Sequence, residues 1–216
     1  MRFRDRRDAG ERLADALEAL GIRGSVVIAA IPRGGVIVAE VIARRFGWPC
    51  DIIVPRKLRA PGNPELAVGA VTGDGTVYLD ARLARAMRVD DAYLRAEIAS
   101  QMAEIKRQEA RYRGGKAPLD VQGRTAVLVD DGLATGATAI AASRMLRHKL
   151  AREVVLAVPV GPPDALRRIE QEVDRAVCVL TPAEFTAVGG FYEDFSQITD
   201  DEVIASLARV WEQKVS

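Results

Sequence analysis

The chain has 216 residues, and its 31 lysines and arginines almost balance 30 aspartates and glutamates, which leaves a formal net charge of +1. This balance excludes the strongly basic proteins that bind nucleic acid or an anionic membrane through net charge alone. A single histidine, His148, argues against a histidine-based zinc site and a Ser-His-Asp triad, and Cys50 and Cys178, each in an apolar stretch, argue against a disulfide.

The N-terminal part of the chain predicts a parallel βαβ unit. A first helix ends at Gly21, and the β-branched run 25–31 predicts a strand that is buried on both faces. The segment 36–46 has the apolar pattern of a helix, and 50–55 reads as a second buried strand. The charged N-terminus lacks the apolar core of a signal peptide, and no apolar run is long enough to span a membrane, so we expect one cytoplasmic domain over 1–216.

The segment 56–80 differs in character because it is rich in glycine, proline and charged residues. We predict a mobile loop that leads into a hairpin, with short strands at 67–71 and 76–79. The segment 90–115 then has the length and apolar spacing of a long charged helix, which ends at two glycines.

Strands and helices alternate in the C-terminal half. The predicted strands are 124–130, 153–160 and 176–182, and the predicted helices are 136–150, 163–173 and one at the C-terminal end. This alternation predicts an α/β fold with a doubly wound, mainly parallel sheet and helices on both faces.

The stretch VLVDDGLATGAT, residues 127–138, carries the strongest functional signal. Asp130 and Asp131 follow a buried strand, at the edge where open α/β sheets bind their ligands. The next residues are small or carry hydroxyls and lead into a helix, whose unpaired N–H groups bind anions. We therefore predict a phosphorylated sugar, with its hydroxyls on the two carboxylates, directly or through hydrated Mg²⁺. The residues predicted to hold its phosphate are Ala134, Thr135, Gly136, Ala137 and Thr138.

Three other interpretations of this motif are weaker. A nucleoside triphosphate P-loop requires a lysine, and none occurs between Arg124 and Arg144. An Asp-rich helix cap explains the carboxylates but not the glycine and threonines that follow. An α/β hydrolase requires a Gly-x-Ser-x-Gly elbow, which the sequence lacks.

The motif resembles the phosphoribosyl diphosphate (PRPP) signature of type I phosphoribosyltransferases, and its form DDxLATGxT is most similar to that of adenine phosphoribosyltransferases. Gly132 stands where the family usually has an apolar residue, and Ala137 stands where it usually has a glycine. The resemblance implies that Asp130 and Asp131 are catalytic, hold the ribose and bind Mg²⁺ through water. The loop after them would hold the 5-phosphate.

The segment IPRGG, residues 31–35, follows the first strand, where this family has its pyrophosphate-binding loop. The resemblance implies that Arg33 binds phosphate oxygens, while Gly34 and Gly35 let the backbone approach them. The family often has a non-proline cis peptide bond in this loop, which we expect near Arg33–Gly34.

The segment PRKLR, residues 55–59, is similar to the start of the loop that closes over the diphosphate in orotate phosphoribosyltransferases. The resemblance implies that 56–80 closes as a lid and that its cations quench the charge of the leaving group; solvated loop cations are the alternative. Glu65 is a candidate general acid or base. The diphosphate ligands would be Arg56, Lys57 and Arg59.

The segment 182–200 is faintly similar to the hood that binds the base in hypoxanthine-guanine enzymes. Phe185, Phe191 and Tyr192 are the candidates for the base-binding surface, and core packing is the alternative explanation for them. As a whole, the chain most resembles a group of uncharacterised bacterial phosphoribosyltransferase-like proteins.

The resemblance implies a Mg²⁺-dependent enzyme that transfers the ribose 5-phosphate of PRPP to a nitrogen nucleophile, a nucleobase, and releases pyrophosphate. Its partners would be PRPP and a small-molecule base, with no nucleic acid or membrane, and dimers are the commonest oligomer to expect. A PRPP-sensing regulator without turnover is the alternative. The enzyme is preferred because the lid cations are present and no helix-turn-helix or basic arm is evident.

Overall fold

The protein consists of two β-sheets with helices packed around them, and a computed structural model describes residues 2–212. The strands are β1 (Val26–Ala30), β2 (Cys50–Ile52), β3 (Arg56–Ala60), β4 (Asn63–Val71), β5 (Val77–Leu79), β6 (Thr125–Val129), β7 (Glu153–Val160) and β8 (Arg175–Leu180). The helices are α1 (Arg6–Leu20), α2 (Gly34–Phe46), α3 (Ala81–Ala86), α4 (Asp91–Arg113), α5 (Ala137–His148), α6 (Pro163–Ile169) and α7 (Asp200–Glu212), with a 3₁₀ turn at Val188–Phe191.

The larger sheet is parallel, with the strand order β2-β1-β6-β7-β8, and every residue of β1 and β6 is buried. Alternate side chains of a strand point to opposite faces. Ile28 and Val127 therefore pack in one core with α1, α2 and α7, whereas Val27 and Leu128 pack in a second core with α5 and α6. The doubly wound α/β fold predicted from the sequence is confirmed.

The smaller sheet is antiparallel, with the order β3-β4-β5, and it is formed by the segment 56–80. The predicted strands at 67–71 and 76–79 are present, the first as the end of β4 and the second as β5. The loop that we expected before them is mostly strand, because β3 pairs with β4 across a tight turn at 61–62.

A period-two pattern explains why β3 forms. Leu58 and Ala60 are buried in the core that also contains Ile105 of α4, whereas Lys57 and Arg59, which alternate with them, are exposed. One face of the strand therefore packs on the protein and the other presents cations. The longest helix, α4, covers this sheet, yet none of the helices in residues 2–212 combines the length and apolar character needed to cross a bilayer.

A buried carboxylate joins three helices on one face of the parallel sheet. Glu40 of α2 has a fully buried side chain, and it accepts hydrogen bonds from Arg209 Nε at 2.6 Å and Ser206 Oγ at 2.7 Å, both in α7. Arg7 of α1 lies 3.5 Å away. Burial alone would raise the pKa of Glu40, but the hydrogen bonds from Arg209 and Ser206 bring that pKa below its ordinary value.

Replacing Glu40 with glutamine is expected to lower the free energy of unfolding at pH 7 by about 2 kcal/mol, because the pairing with Arg209 is lost while Arg209 can still reach solvent. A carboxyl whose folded pKa is lowered stabilises above its unfolded pKa and loses that effect as the pH falls through its folded pKa. The difference between wild type and variant should therefore shrink on acidification. Urea unfolding at a series of pH values measures this difference. The control is Glu18→Gln, because Glu18 forms an exposed ion pair with Arg45. A constant difference down to pH 2 would contradict the assignment.

Candidate active site

A cleft of about 600 Å³ lies at the carboxyl ends of β1 and β6. The loop after β1, the acid pair after β6 and the β3–β4 hairpin form its walls. The cleft brings together the five residues predicted as catalytic, which come from three separate parts of the chain. Its charged lining residues are Arg6, Arg33, Arg56, Lys57, Arg59, Glu65, Asp130 and Asp131.

The two aspartates differ in their surroundings. Asp131 Oδ2 lies 2.7 Å from Arg6 Nε in a largely buried ion pair. Asp130 has no such partner among residues 2–212; its Oδ1 accepts a hydrogen bond of 2.8 Å from the Asp131 N–H. Burial and the neighbouring Asp131 carboxylate raise the pKa of Asp130 well above its usual range. The pair therefore holds one carboxylate matched to a cation and one carboxyl group whose pKa is raised by burial and by the neighbouring charge.

Gly34 and Gly35 lie against the acid pair because they have no side chains. A Cβ at Gly34 would overlap the Asp131 carboxylate and come within 2.6 Å of Arg6 Nε, and a Cβ at Gly35 would lie 2.8 Å from Asp130 Cα. Close backbone approach, rather than unusual torsion, is what these glycines provide. The cis peptide bond of the loop is Pro32–Arg33, one bond before the expected position.

The loop after the acid pair is anchored at its start. Leu133 is buried, and its N–H donates to Val160 O at 2.7 Å. A Cβ at Gly132 would overlap Val188 of the 3₁₀ turn. Val188 therefore occupies the space that the usual apolar side chain of the family would need at Gly132.

The end of this loop presents donors at the start of α5. Gly136 has φ +85°, a left-handed conformation that favours glycine, and it turns the chain into the helix. Within the described chain, the N–H groups of Gly136 and Thr138 have no acceptor, and the side chain of Thr138 lines the cleft beside the acid pair. The remaining predicted phosphate residues lie next to the cleft lining: Ala134 and Thr135 are exposed, and Gly136 and Ala137 are buried.

The three cations of β3 have different freedom. Arg56 Nε donates to Gln101 Oε1 of α4 at 2.6 Å, so that Arg56 is held against the helix. Lys57 and Arg59 are exposed, and no carboxylate of residues 2–212 lies within 4.0 Å of either charged group. These two side chains can reach a ligand without breaking an ion pair.

Arg33 is tied to α7, and Glu65 lies at the rim of the cleft. The Nε atom of Arg33 is 3.0 Å from Asp200 Oδ1, and its Nη1 donates to Ile198 O at 3.2 Å. Its remaining donors are available to the cleft. Glu65 is exposed on β4, where it can reach the cleft only from the hairpin side.

The chain matches a known protein family. A model described as "Phosphoribosyl transferase domain" matches residues 7–195. The chain belongs to the phosphoribosyl transferase family. The family recognised from the acid-pair motif is therefore confirmed.

Two relatives match the chain over nearly its whole length. The chain is 45% identical over 207 residues to Rv0571c, a candidate phosphoribosyl transferase of Mycobacterium tuberculosis H37Rv. The match covers 96% of this chain and 46% of that protein. The chain thus spans about half the length of that curated relative. The crystal structure of TT1426 from Thermus thermophilus superimposes with a TM-score of 0.82 at 43% identity, covering 97% of this chain and 99% of that chain. A uracil phosphoribosyltransferase of Bifidobacterium adolescentis is 28% identical over 141 residues, covering 65% of this chain and 57% of that protein.

The three aromatic residues expected in the hood do not line the cleft. Phe185 and Phe191 stack on each other with ring centroids 5.4 Å apart, and they pack in a small core with Phe3. Tyr192 is 4% exposed, and its hydroxyl donates to Asp131 O at 2.6 Å. Its ring is therefore buried behind the acid pair, where it supports the loop backbone and offers no surface to a ligand.

Three polar or aromatic residues of the cleft were not predicted from the sequence: Arg6, Gln101 and Phe195. Phe195 is the aromatic side chain of the hood that lines the cleft, and it is 36% exposed. Arg6 and Gln101 lie on helices with many charged and polar residues, so nothing in the local sequence marked them.

Proposed function

We propose that the protein transfers the ribose 5-phosphate of PRPP to a nitrogen nucleophile, a nucleobase, and releases pyrophosphate. One observation carries the proposal: an acid pair, Thr138 at the start of α5 and two cations without an ion pair in residues 2–212, Lys57 and Arg59, line a single cleft. These are the groups that a ribose diol, a terminal phosphate and a diphosphate require. The proposal includes a cytoplasmic location and a homodimer, which cell fractionation and light scattering would test.

The 5-phosphate, the ribose and the diphosphate of PRPP would each bind to a different wall of the cleft. The 5-phosphate would accept hydrogen bonds from the loop 134–138. The ribose hydroxyls would bind Asp130 and Asp131, and the diphosphate would lie between the glycine loop at 33–35 and the cations of β3. Phe195 is the aromatic side chain of the hood that lines the cleft. We therefore propose that the acceptor lies beside Phe195 rather than on Phe185, Phe191 or Tyr192.

The residues present suit a hydrated Mg²⁺ ion that the substrate itself holds. Asp130 and Asp131 are the two neighbouring carboxylates of the cleft, and Asp131 already pairs with Arg6. No cluster of three or more metal-ligating side chains occurs in the part of the chain that the structure describes. Mg²⁺ keeps several waters and binds substrate phosphates readily, so the acid pair would contact it through water. When bound, the ion would neutralise charge on the diphosphate.

The residues of the cleft can perform the remaining work. Breaking the C1–O bond leaves positive charge on the ribose and negative charge on the departing diphosphate. Lys57, Arg59 and the free donors of Arg33 would stabilise the diphosphate, while the acid pair holds the ribose in line with the acceptor. The β3–β4 hairpin would close over the site and exclude water, which would otherwise capture the ribosyl cation. Glu65, on that hairpin, would accept the proton that the acceptor nitrogen loses, or donate a proton to the departing diphosphate.

The direct test combines binding and turnover. Calorimetry with PRPP and Mg²⁺ should show saturable binding, and a panel of nucleobases should release pyrophosphate with at least one acceptor. Binding without pyrophosphate release for any acceptor would favour a PRPP-sensing regulator. Absence of PRPP binding would contradict both proposals.

Replacing Lys57 with alanine is expected to weaken PRPP binding about tenfold, because a charge-assisted contact to the diphosphate is lost. The unfolding midpoint should stay the same, since the Lys57 side chain is exposed and makes no ion pair in residues 2–212. Calorimetry at two salt concentrations measures the loss, which should be larger at low salt. The control is Lys106→Ala, an exposed lysine of α4 outside the cleft. Equal effects of the two substitutions would contradict a role for Lys57 in the site.

A further inference from the structure

Arg6 reaches from the start of α1 into the cleft. Asp5 caps the helix, its side chain accepting hydrogen bonds from the N–H groups of Arg7 and Asp8, so that Arg6 is the first helical residue. The Arg6 side chain is 9% exposed, and arginine is seldom buried unless its charge is paired. The helix cap therefore fixes the backbone of Arg6, and the contacts of its guanidinium fix the side chain.

The guanidinium of Arg6 has three contacts, each to a different part of the site. Its Nε lies 2.7 Å from Asp131 Oδ2, and its Nη1 donates to Ser196 O at 2.9 Å. Its Cζ atom lies 3.9 Å from the centre of the Phe195 ring. Arg6 therefore joins the acid pair to the hood residues that face the cleft.

These contacts restrict how Asp131 can present its carboxylate. Arg6 holds Oδ2 from one side, and Gly34 lies so close on another that even a methyl group would overlap the carboxylate. Oδ1 is the oxygen of this carboxylate that Arg6 leaves uncommitted. A carboxylate held in this way is already oriented for a ligand hydroxyl, so that less rotational freedom is lost on binding.

We propose that Arg6 is a positioning residue for PRPP: it aims Asp131 at a ribose hydroxyl and couples the acid pair to the hood through Phe195 and Ser196. This inference rests on the proposed function, because it assigns a role toward the same substrate. A buried ion pair contributes little net stability against the cost of desolvating its charges, so stability alone is a weak reason for placing an arginine here.

A double-mutant cycle tests whether Arg6 acts through Asp131. PRPP affinity is measured by calorimetry in Mg²⁺ for wild type, Arg6→Gln, Asp131→Asn and the double variant, with the unfolding midpoint of each. Arg6→Gln should weaken binding about tenfold, and Arg6→Lys should recover part of the loss because it keeps the charge. Arg7→Gln is the matched control, since Arg7 is the next residue, half-exposed, and pairs with Glu40. It should bind PRPP as wild type does.

In the double variant, PRPP should bind no more weakly than it does to Asp131→Asn alone. Losses that multiply in full, or an Arg6→Gln variant that binds as tightly as wild type, would overturn the inference while leaving the proposed function intact. If Arg6→Gln fails to fold, Arg6→Lys completes the same cycle with Asp131→Asn. A wild-type protein that does not bind PRPP would overturn both.

Discussion

Replacing Gly34 with alanine is expected to weaken PRPP binding at least about a hundredfold while the protein stays folded, because small displacements of a positioned group cost this much. The new methyl group would overlap the Asp131 carboxylate and crowd Arg6 Nε. Both neighbours are ends of side chains that can move aside. The damage should therefore fall on the geometry of the acid pair rather than on the fold.

Two other glycines provide the comparison. A Cβ at Gly35 would meet backbone atoms of Asp130 and Val129 at 2.8 Å, so Gly35→Ala should lower the free energy of unfolding by about 1–3 kcal/mol. A Cβ at Gly190 would meet nothing within 4 Å, so Gly190→Ala should change neither property. Calorimetry with PRPP and thermal unfolding of the three variants separate the cases. PRPP affinity within threefold of wild type in Gly34→Ala would refute the expected crowding.

Asparagine at the two acidic positions is expected to change stability in opposite directions. Asp131→Asn removes the charge that pairs with the largely buried Arg6 and should cost about 1–3 kcal/mol. Asp130→Asn should stabilise the protein at pH 7, because burial and the Asp131 carboxylate disfavour a charge at this position and asparagine carries none. Both substitutions should weaken PRPP binding, since each alters a group that we propose holds the ribose.

The raised pKa of Asp130 determines the direction in which the stability of the protein changes with pH. Burial and the Asp131 carboxylate raise the pKa of Asp130 in the folded protein. Between the unfolded and the folded pKa, the folded protein retains a proton that the unfolded chain has released, so wild-type stability falls as the pH rises through this window. The advantage of Asp130→Asn should grow over the same window. Thermal unfolding in metal-free buffer at several pH values measures it, and an Asp130→Asn variant less stable than wild type at pH 7 would refute the assignment.

The parallel sheet and the acid motif could be predicted because their signals are local. Strands such as β1 and β6 are continuous apolar runs, and the acids and the phosphate loop follow β6 directly in sequence. The strand β3 was missed for a local reason as well: its alternation at Leu58 and Ala60 is short and lies among cations and prolines, which favour a loop.

The remaining features of the site depend on contacts between distant segments. Arg6 and Asp131 are 125 positions apart, and no local pattern links them. The same holds for the hood aromatics. The sequence shows that Tyr192 and Phe195 are aromatic, but it does not show which of them faces the cleft. Burial of Tyr192 follows from its packing against Phe3, whose segment forms a bridge with it from the other end of the chain.

The contact between Gly132 and Val188 has a consequence for natural variation. Because one side chain fills the volume that the other leaves, a larger residue at 132 requires a smaller one at 188. We expect the two positions to covary among relatives, with the summed volume of the two residues nearly constant. Where that sum is kept, the turn at 188–191 should keep its distance from the loop that follows the acid pair.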